Sequence, residues 1–468
     1  MTSKLIHIAT LIATCACFAQ DNTLHYFLNT AEENNPLLLE YENLKIIGEY
    51  DNQLITAEES SFKVDVTSEI MAAPYFNNDG AFLAVTSTPS ADAYGYAEPV
   101  SNGALYSAQL NIYKAIFNRS RVADLLFQNR IRNEAIHLSA TEVRHQLYKT
   151  ITTRYILAYL LQRKINLTEA LVSDLDKRLQ VVTILVKNGV LQQSDYLLLQ
   201  LDIEKKQLEL DQLKNNLNDA ALNLNNASGL PAMPLEPLEI PDIDMAPLAV
   251  TFQEVSPPSS LLGTSGNASS SAGPETMAPG SSIPKDTISV DSLPYHYQRK
   301  FENERLQLLA EQQVMENSYK PQLSLYGNTG LNAVDLDRIY HYIGFSAGLK
   351  LSVPIYDGGQ KRIRELQKDV QYRNLEVQKD NQDMVLHNTL QSLLDQIESI
   401  ESSLQLVESQ LQKQEHVLEL FKGKMVQGQV SIIDYLKVVA DYKLLLDSQL
   451  QMQANRWLLQ TEYNAINW

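Results

Sequence analysis

Residues able to do chemistry are sparse in this chain, and their spacing argues against an enzyme. The eight histidines are scattered, with no His-Glu-x-x-His or Cys/His spacing to bind a metal and no glycine-rich phosphate loop. Cys15 and Cys17 are the only cysteines. Asn118, Asn166, Asn226 and Asn267 begin N-x-[ST] triplets, read here as chance matches in a bacterial-type exported chain. No catalytic residue, metal or cofactor is therefore expected. What does recur is a carboxylate. NGVLQQSDYL from Asn188 and QGQVSIIDYL from Gln427 place Asp195 and Asp434 at the same point after Gly189 and Gly428. An Asp between a glycine turn and a helical run caps free backbone N–H groups at the helix start.

The two aspartates match because the segments around them match. Tyr106–Asn118 (YSAQLNIYKAIFN) falls on Phe345–Asp357 (FSAGLKLSVPIYD) under a shift of 239, and the two aspartate segments obey the same shift. Ungapped matches so far apart at one offset mark a duplicated unit. The fronts match at a slightly different offset. Pro36 opens a helical stretch leading to FKVDVTS at Phe62, and Pro294 opens one leading to PQLSLYG at Pro321.

Each unit is expected to read helix, strand, loop, strand, very long helix, turn, long helix. The first spans 21–229, with strands near 62–74 and 104–115 and a loop near 75–103. The second spans 288–468, with strands near 321–332 and 342–353 and a short loop near 333–341. The connection at 230–287 carries a Ser/Pro/Gly-rich insertion at 256–284 whose composition cannot bury a core.

The helices are unusually long. Between Gln360 and Gln427 there is no proline and one glycine, Gly423. Leu386, Leu390, Leu393, Ile397, Ile400, Leu404, Val407 and Leu411 alternate fours and threes, a heptad seam. Tyr196, Leu199, Ile203, Leu210, Leu213 and Leu217 repeat the spacing in the first unit. Such a helix would be about 100 Å long, against about three turns for an average globular helix. Two antiparallel helical hairpins follow, turning after Gly189 and Gly428.

The strands are two-faced. Phe62, Val64 and Val66 alternate with polar residues, as do Tyr106, Ala108, Leu110 and Ile112, and then Phe345, Ala347, Leu349, Leu351 and Val353. The stretch from Leu323 to Leu331 is weaker because glycines interrupt it. The lengths suit a tilted membrane strand of roughly 9–11 residues, with Leu110, Ile112, Leu349 and Leu351 facing lipid. A soluble sandwich alternates in the same way, but four strands make no sandwich. They are also too few to close a barrel, whose smallest common form has about eight. Unpaired edges in lipid cost several kcal/mol per group, so other copies of the chain must complete the sheet. Pro354 ends the last strand, and Asp357 and Gly358 turn the chain into the helix, where Asp357 is expected as a cap. Asn118 holds the matching position in the first unit. Tyr340, Tyr342 and Phe345 read as an interfacial aromatic belt or as ordinary core residues.

MTSKLIHIATLIATCACFAQ reads as a signal peptide at 1–20, with Lys4 before a short apolar run. The alternative is lipid acylation at Cys15 or Cys17. Cleavage near Ala19 or Gln20 would leave no cysteine, excluding disulfides and thiol catalysis. Lys and Arg number 38 against 56 Asp and Glu, a net charge of −18. That acidity argues against nucleic acid as a partner.

LSVPIYDGGQKR and the duplicated G-x5-D-Y-L turn resemble the TolC-like outer-membrane efflux family, over nearly all of the chain except the insertion. The resemblance implies a mostly α-helical fold with a small membrane β part. It implies a homotrimer whose twelve-stranded β-barrel in outer-membrane lipid continues as an α-helical coiled-coil barrel into the periplasm of a Gram-negative bacterium. It implies a passive exit duct for efflux or protein secretion, working with a periplasmic adaptor and an inner-membrane transporter. Gly189, Val190, Leu191, Gly428, Gln429 and Val430 would then contact the adaptor, and Asp195 and Asp434 would line the entrance gate. There are departures. Ala115 replaces the bend proline in the first unit, implying a gentler bend. Val430 and Lys437 stand where well-known members carry a locking Arg and a second gate carboxylate. A non-channel periplasmic coiled-coil scaffold, lipid-anchored or not, is the competing reading.

Overall fold

A computed structural model describes residues 22–72, 75–77, 84–86, 104–247, 295–333 and 336–468. The leader with Cys15 and Cys17, the insertion at 256–284 and most of the 75–103 loop lie outside the described residues. The chain is mostly helical with a small sheet. In order it forms α1 (Leu24–Asn34), α2 (Pro36–Ser60), β1 (Lys63–Ala72), β2 (Tyr75–Asn77), β3 (Ala84–Thr86), β4 (Ala104–Ile116), α3 (Arg119–Lys187) and α4 (Gln193–Ser228). There follow α5 (His296–Ser318), β5 (Gln322–Ala333), a 3₁₀ turn at Leu336–His341, β6 (Ile343–Ser352), α6 (Gln360–Val426) and α7 (Ile432–Ile466). The loop expected at 75–103 thus contains a small antiparallel hairpin, β2–β3, and α1 is an added helix.

Two compact units cut across the two repeats expected from the sequence. One comprises residues 1–40, 140–296 and 381–468, the other 41–139 and 297–380.

The second unit contains the sheet, antiparallel throughout in the order β1-β4-β5-β6. The glycine-interrupted stretch is β5, a central strand paired along both sides. Gly330 of β5 and Gly348 of its neighbour β6 mark close approaches rather than weak pairing. A Cβ at Gly330, where φ is +149°, would lie 2.2 Å from the Ala108 carbonyl oxygen. At Gly348 it would lie 2.6 Å from the Tyr326 hydroxyl, so that side chain crosses over the bare glycine. The helices entering and leaving the sheet keep its lateral order. Asn129 of α3 donates to the Gly48 carbonyl of α2 at 3.0 Å. Asn303 of α5 donates to the Ile131 carbonyl of α3 at 3.2 Å, and Lys368 of α6 pairs with Glu311 of α5. Side by side they run α2, α3, α5, α6.

The first unit holds two apolar clusters. One gathers Phe27 of α1, Ile151, Tyr155 and Tyr159 of α3, Leu224 of α4 and Trp457 of α7. The extended segment after α4 lies along it and satisfies its backbone through side-chain amides. Gln162 accepts from the Leu238 N–H at 2.8 Å and donates to the Glu236 carbonyl at 2.9 Å. Asn464 does the same for Ala246 and Asp244. The other cluster lies near the hairpin turns, where Leu175 and Val182 of α3, Leu199 and Ile203 of α4, Leu418 and Met425 of α6, and Ile432, Tyr435 and Val439 of α7 meet. The heptad seam of α6 is buried at Leu386, Leu390, Leu393, Ile397, Val407 and Leu411, half-buried at Ile400 and Leu404, and runs on at seven-residue steps to Leu418 and Met425.

Candidate functional site

The hairpin turns form as the glycine pattern requires. Gly189 and Gly428 have φ of +74° and +69°, a left-handed conformation that glycine adopts without penalty. The two tips touch, since a Cβ at Gly428 would lie 3.0 Å from Val190 Cγ1. Leu191 and Val430 pack against the same cluster, and Gln429 donates its N–H to the Lys424 carbonyl at 2.9 Å.

Asp195 and Asp434 are not themselves the capping residues that their spacing promised. The caps are Gln192 and Ser431, and the aspartates stand three positions on, in the first helical turn. Asp195 Oδ2 accepts the Gln192 N–H at 3.0 Å. The Asp434 N–H donates to Ser431 Oγ at 3.1 Å, and that hydroxyl donates to Asp434 Oδ2 at 2.7 Å. Each carboxylate closes its turn and sits at the positive end of a helix dipole. Asp434 is exposed and Asp195 half-buried, so one carboxylate serves the turn while facing solvent.

The sequence pattern did not reveal two charged groups behind the tips. Asp174 of α3 receives the Tyr435 hydroxyl at 3.5 Å, Arg178 at 3.4 Å and Lys422 Nζ at 3.9 Å. It therefore joins α3 to both α6 and α7. Burial, and next the Asp174 charge, push the Tyr435 phenol up to about 12. Further along, buried Lys443 of α7 pairs with Glu209 of α4, which also takes Lys206 at 3.3 Å. Burial would raise the Glu209 carboxyl, but the Lys443 hydrogen bond and charge hold it below the ordinary value. Lys443 falls four residues after Val439 in an otherwise apolar seam, which was the one visible hint.

The strand-to-helix bends after β4 and after β6 differ. β6 stops at Ser352, before Pro354, and the turn is made by Gly358 and Gly359 at φ of +73° and +80°. Asp357 accepts the N–H groups of Gly359 at 2.9 Å and Lys361 at 2.7 Å, so it caps this turn. The Tyr319 hydroxyl donates to it at 2.7 Å. That bond first, and the backbone N–H groups next, hold its carboxyl below the usual range against the opposing effect of burial. β4 has no proline and continues through Ala115 to Ile116. The turn then falls on Phe117 at φ +59°, unusual for a non-glycine residue. Asn118 follows and donates to the Glu59 carbonyl at the end of α2.

In the sheet, register puts Val64 opposite Ile112 and Val66 opposite Leu110, and Leu325 opposite Leu349 and Leu323 opposite Leu351. Together they make one apolar face. Leu349 and Leu351 are 63% and 64% exposed, and Leu110 and Ile112 are 37% and 38% exposed. The opposite face is a polar ladder in which Asn111 donates to Asp65 and Thr67 at 2.9 Å each, and Ser346 donates to Asn328 at 2.7 Å.

No family model and no curated protein matches the sequence, but solved structures match its architecture. The outer membrane protein VceC from Vibrio cholerae aligns at a TM-score of 0.66 and 12% identity, over 95% of this chain and 96% of that one. The CmeC outer membrane channel of Campylobacter jejuni aligns at 0.66 and 12%, over 95% and 85%. The open state of the MtrE outer membrane channel of Neisseria gonorrhoeae aligns at 0.63 and 14%, over 95% and 89%. These neighbours are outer-membrane channels of TolC-like fold, and this chain has that fold.

Proposed function

We propose that the protein is the outer-membrane exit duct of a tripartite export system, a passive channel without catalysis. The observation that carries this reading is the sheet, with an apolar face exposed along its length and two open edges, β1 and β6. In water that face is unfavourable at about 25 cal/mol per Å², and in lipid the open edges are. A barrel closed by further copies removes both costs. Three copies would supply twelve strands, with β6 of one beside β1 of the next.

The edge helices support closure in the same sense. Ile363, Val370 and Val377 of α6 are exposed at seven-residue steps, and Ile46, Tyr50 and Leu54 of α2 are exposed as well. Seven-residue spacing is that of a coiled-coil seam, so α6 of one copy against α2 of the next would extend the barrel as a helical wall into the periplasm. A periplasmic scaffold would leave all of these residues in water.

In this reading the tip residues Gly189, Val190, Leu191, Gly428, Gln429 and Val430 meet the periplasmic adaptor, and an inner-membrane transporter supplies the energy. Asp195 and Asp434 line the entrance, where carboxylates from several copies attract cations. The apolar core at Val430 leaves Asp174, with Tyr435 and Lys422, as the polar tie between hairpins. The adaptor and transporter set the cargo, whether small molecules or proteins. The test is the native mass of the protein extracted in detergent from outer membranes, with bound detergent subtracted. Three chains per particle is the expected result; a monomer, or recovery without detergent, would overturn it.

A further inference from the structure

The cations of the sheet are unevenly placed. Lys63, Lys114 and Lys350 are the only Lys or Arg residues in β1, β4, β5 and β6. All three lie near one end of the sheet, because β1 begins where β4 and β6 finish. Register then separates them by face. Lys114 stands in line with Leu110 and Ile112 on the apolar face, and its Nζ lies 4.3 Å over the Phe62 ring. Lys63 pairs with Tyr113, which pairs with Tyr326. Lys350 pairs with Ser324, which pairs with Ala115. Both rows are on the polar face, adjacent to one another along the strands, and neither contains a carboxylate. Both lysines are exposed, and neither has an ion-pair partner among the described residues. On that face Asp65 is engaged by Asn111 at 2.9 Å, and of the two α2 carboxylates that share a cavity with Lys63, Glu58 and Glu59, the latter pairs with Arg121 at 3.2 Å.

Lys63 and Lys350 belong to the two edge strands. We propose that barrel closure brings Lys350 of one copy beside Lys63 of the next, forming a lysine ring at the helical end of the barrel lumen that binds anions. The inference rests on the multi-copy channel reading above, and the site is incomplete in a single chain. Like charges gathered on neighbouring strands repel, and an anion held between them removes that repulsion. Rings of charged side chains set which ions enter a pore, so this ring favours inorganic anions and cargo bearing carboxylate or phosphate. Its sign is opposite to that of Asp195 and Asp434 at the hairpin tips.

The experiment is the reversal potential of the detergent-purified protein in planar bilayers under a potassium chloride gradient, with chloride as the anion probed. The double variant K63Q/K350Q is compared with wild type and with K63R/K350R, which keeps the charge. The expected result is a rise of about twofold or more in the potassium-to-chloride permeability ratio for the glutamine variant, with the arginine variant near wild type. An unchanged ratio in a conducting glutamine variant would overturn the lysine ring while leaving the channel intact. A wild-type particle of three chains that does not conduct would remove the channel reading, and the ring with it. Asp65→Asn, on the same face, provides a control expected to shift the ratio the other way.

Discussion

At the hairpin tips Leu199, Ile432 and Tyr435 are fully buried, whereas in the sheet Val66 and Ile70 are 73% and 80% exposed, although all five occupy regular apolar patterns. The tips meet their partners within one chain, because two hairpins bring four helices together and each seam faces another. The sheet has one layer, and among the described residues nothing covers its apolar side. Equal periodicity thus leads to burial in one place and to a vacant face in the other. Periodicity reports which side is apolar, while the number of layers reports whether the chain can cover it. The contrast separates a region stabilised by its own packing from one whose apolar side the described residues leave bare.

The sharpest way to break that contrast is to charge the vacant face. Val66→Arg with Leu110→Arg, opposite one another near the middle of the sheet, should abolish outer-membrane assembly, since each Arg near the bilayer midplane costs about 2–4 kcal/mol. Membrane fractionation reads this directly, and normal insertion of the double variant would place the face away from lipid. In the tips, Leu199→Ala removes a fully buried side chain and should destabilise by about 2–5 kcal/mol. The same truncation at Leu349 should have a far smaller effect on unfolding measured in detergent. Comparable losses at both sites, followed by urea denaturation, would erase the distinction drawn above.

A smaller effect is expected at the turn. Gly428→Ala forces a side chain into a left-handed conformation, at a cost of roughly 1–2 kcal/mol, and crowds Val190. Gly189→Ala meets the same backbone penalty with open space around it, so it should be the milder of the two in thermal unfolding.

The smallest effect concerns pH. His145 stacks on Trp468 at 3.9 Å between ring centroids, and His296 stacks on the other side at 4.1 Å. Burial lowers the His145 pKa against the opposing backbone bonds at Ala465 and Asn464, and Lys149 lowers it further. The unfolded chain then takes up the proton first. This contribution to stability is present above about pH 6.5 and is lost as pH falls through that value toward the lowered folded pKa. The unfolding temperature of wild type should therefore fall more than that of His145→Gln between about pH 7.5 and 5.5. Parallel curves would show that His145 takes up its proton equally in both states.

Much of the architecture was readable because it rests on local rules. The strands appear where period-two alternation placed them, and α6 spans almost the whole proline-free run, because backbone propensity and one-sided patterning act over a few residues. The tip glycines and the heptad positions follow for the same reason. Pairing between distant segments was less readable. Gly330 of β5 and Gly348 of β6 read as gaps in the sequence, whereas the Ala108 carbonyl and the Tyr326 side chain occupy the space that their missing side chains leave. Asp195 and Asp434 read equally as caps or as entrance carboxylates, whereas the chain enters the helix three residues earlier, at Gln192 and Ser431. Asp174 and the Glu209–Lys443 pair carried almost no signal, since a charge on a long helix is ordinarily solvated and only the neighbouring hairpin makes it a tie.

The amino-acid sequence alone determined the element types, the two faces of each strand, the length of the helices and the places where glycine turns them. Each follows from φ/ψ preference and side-chain periodicity within a short window. The tertiary structure alone decided the strand order β1-β4-β5-β6, with β1 and β6 left as edges, the matching order of the helices, and the adjacency of the Lys63 and Lys350 rows on one face. These depend on which remote segments meet, and contacts between remote segments are set by packing of the whole chain.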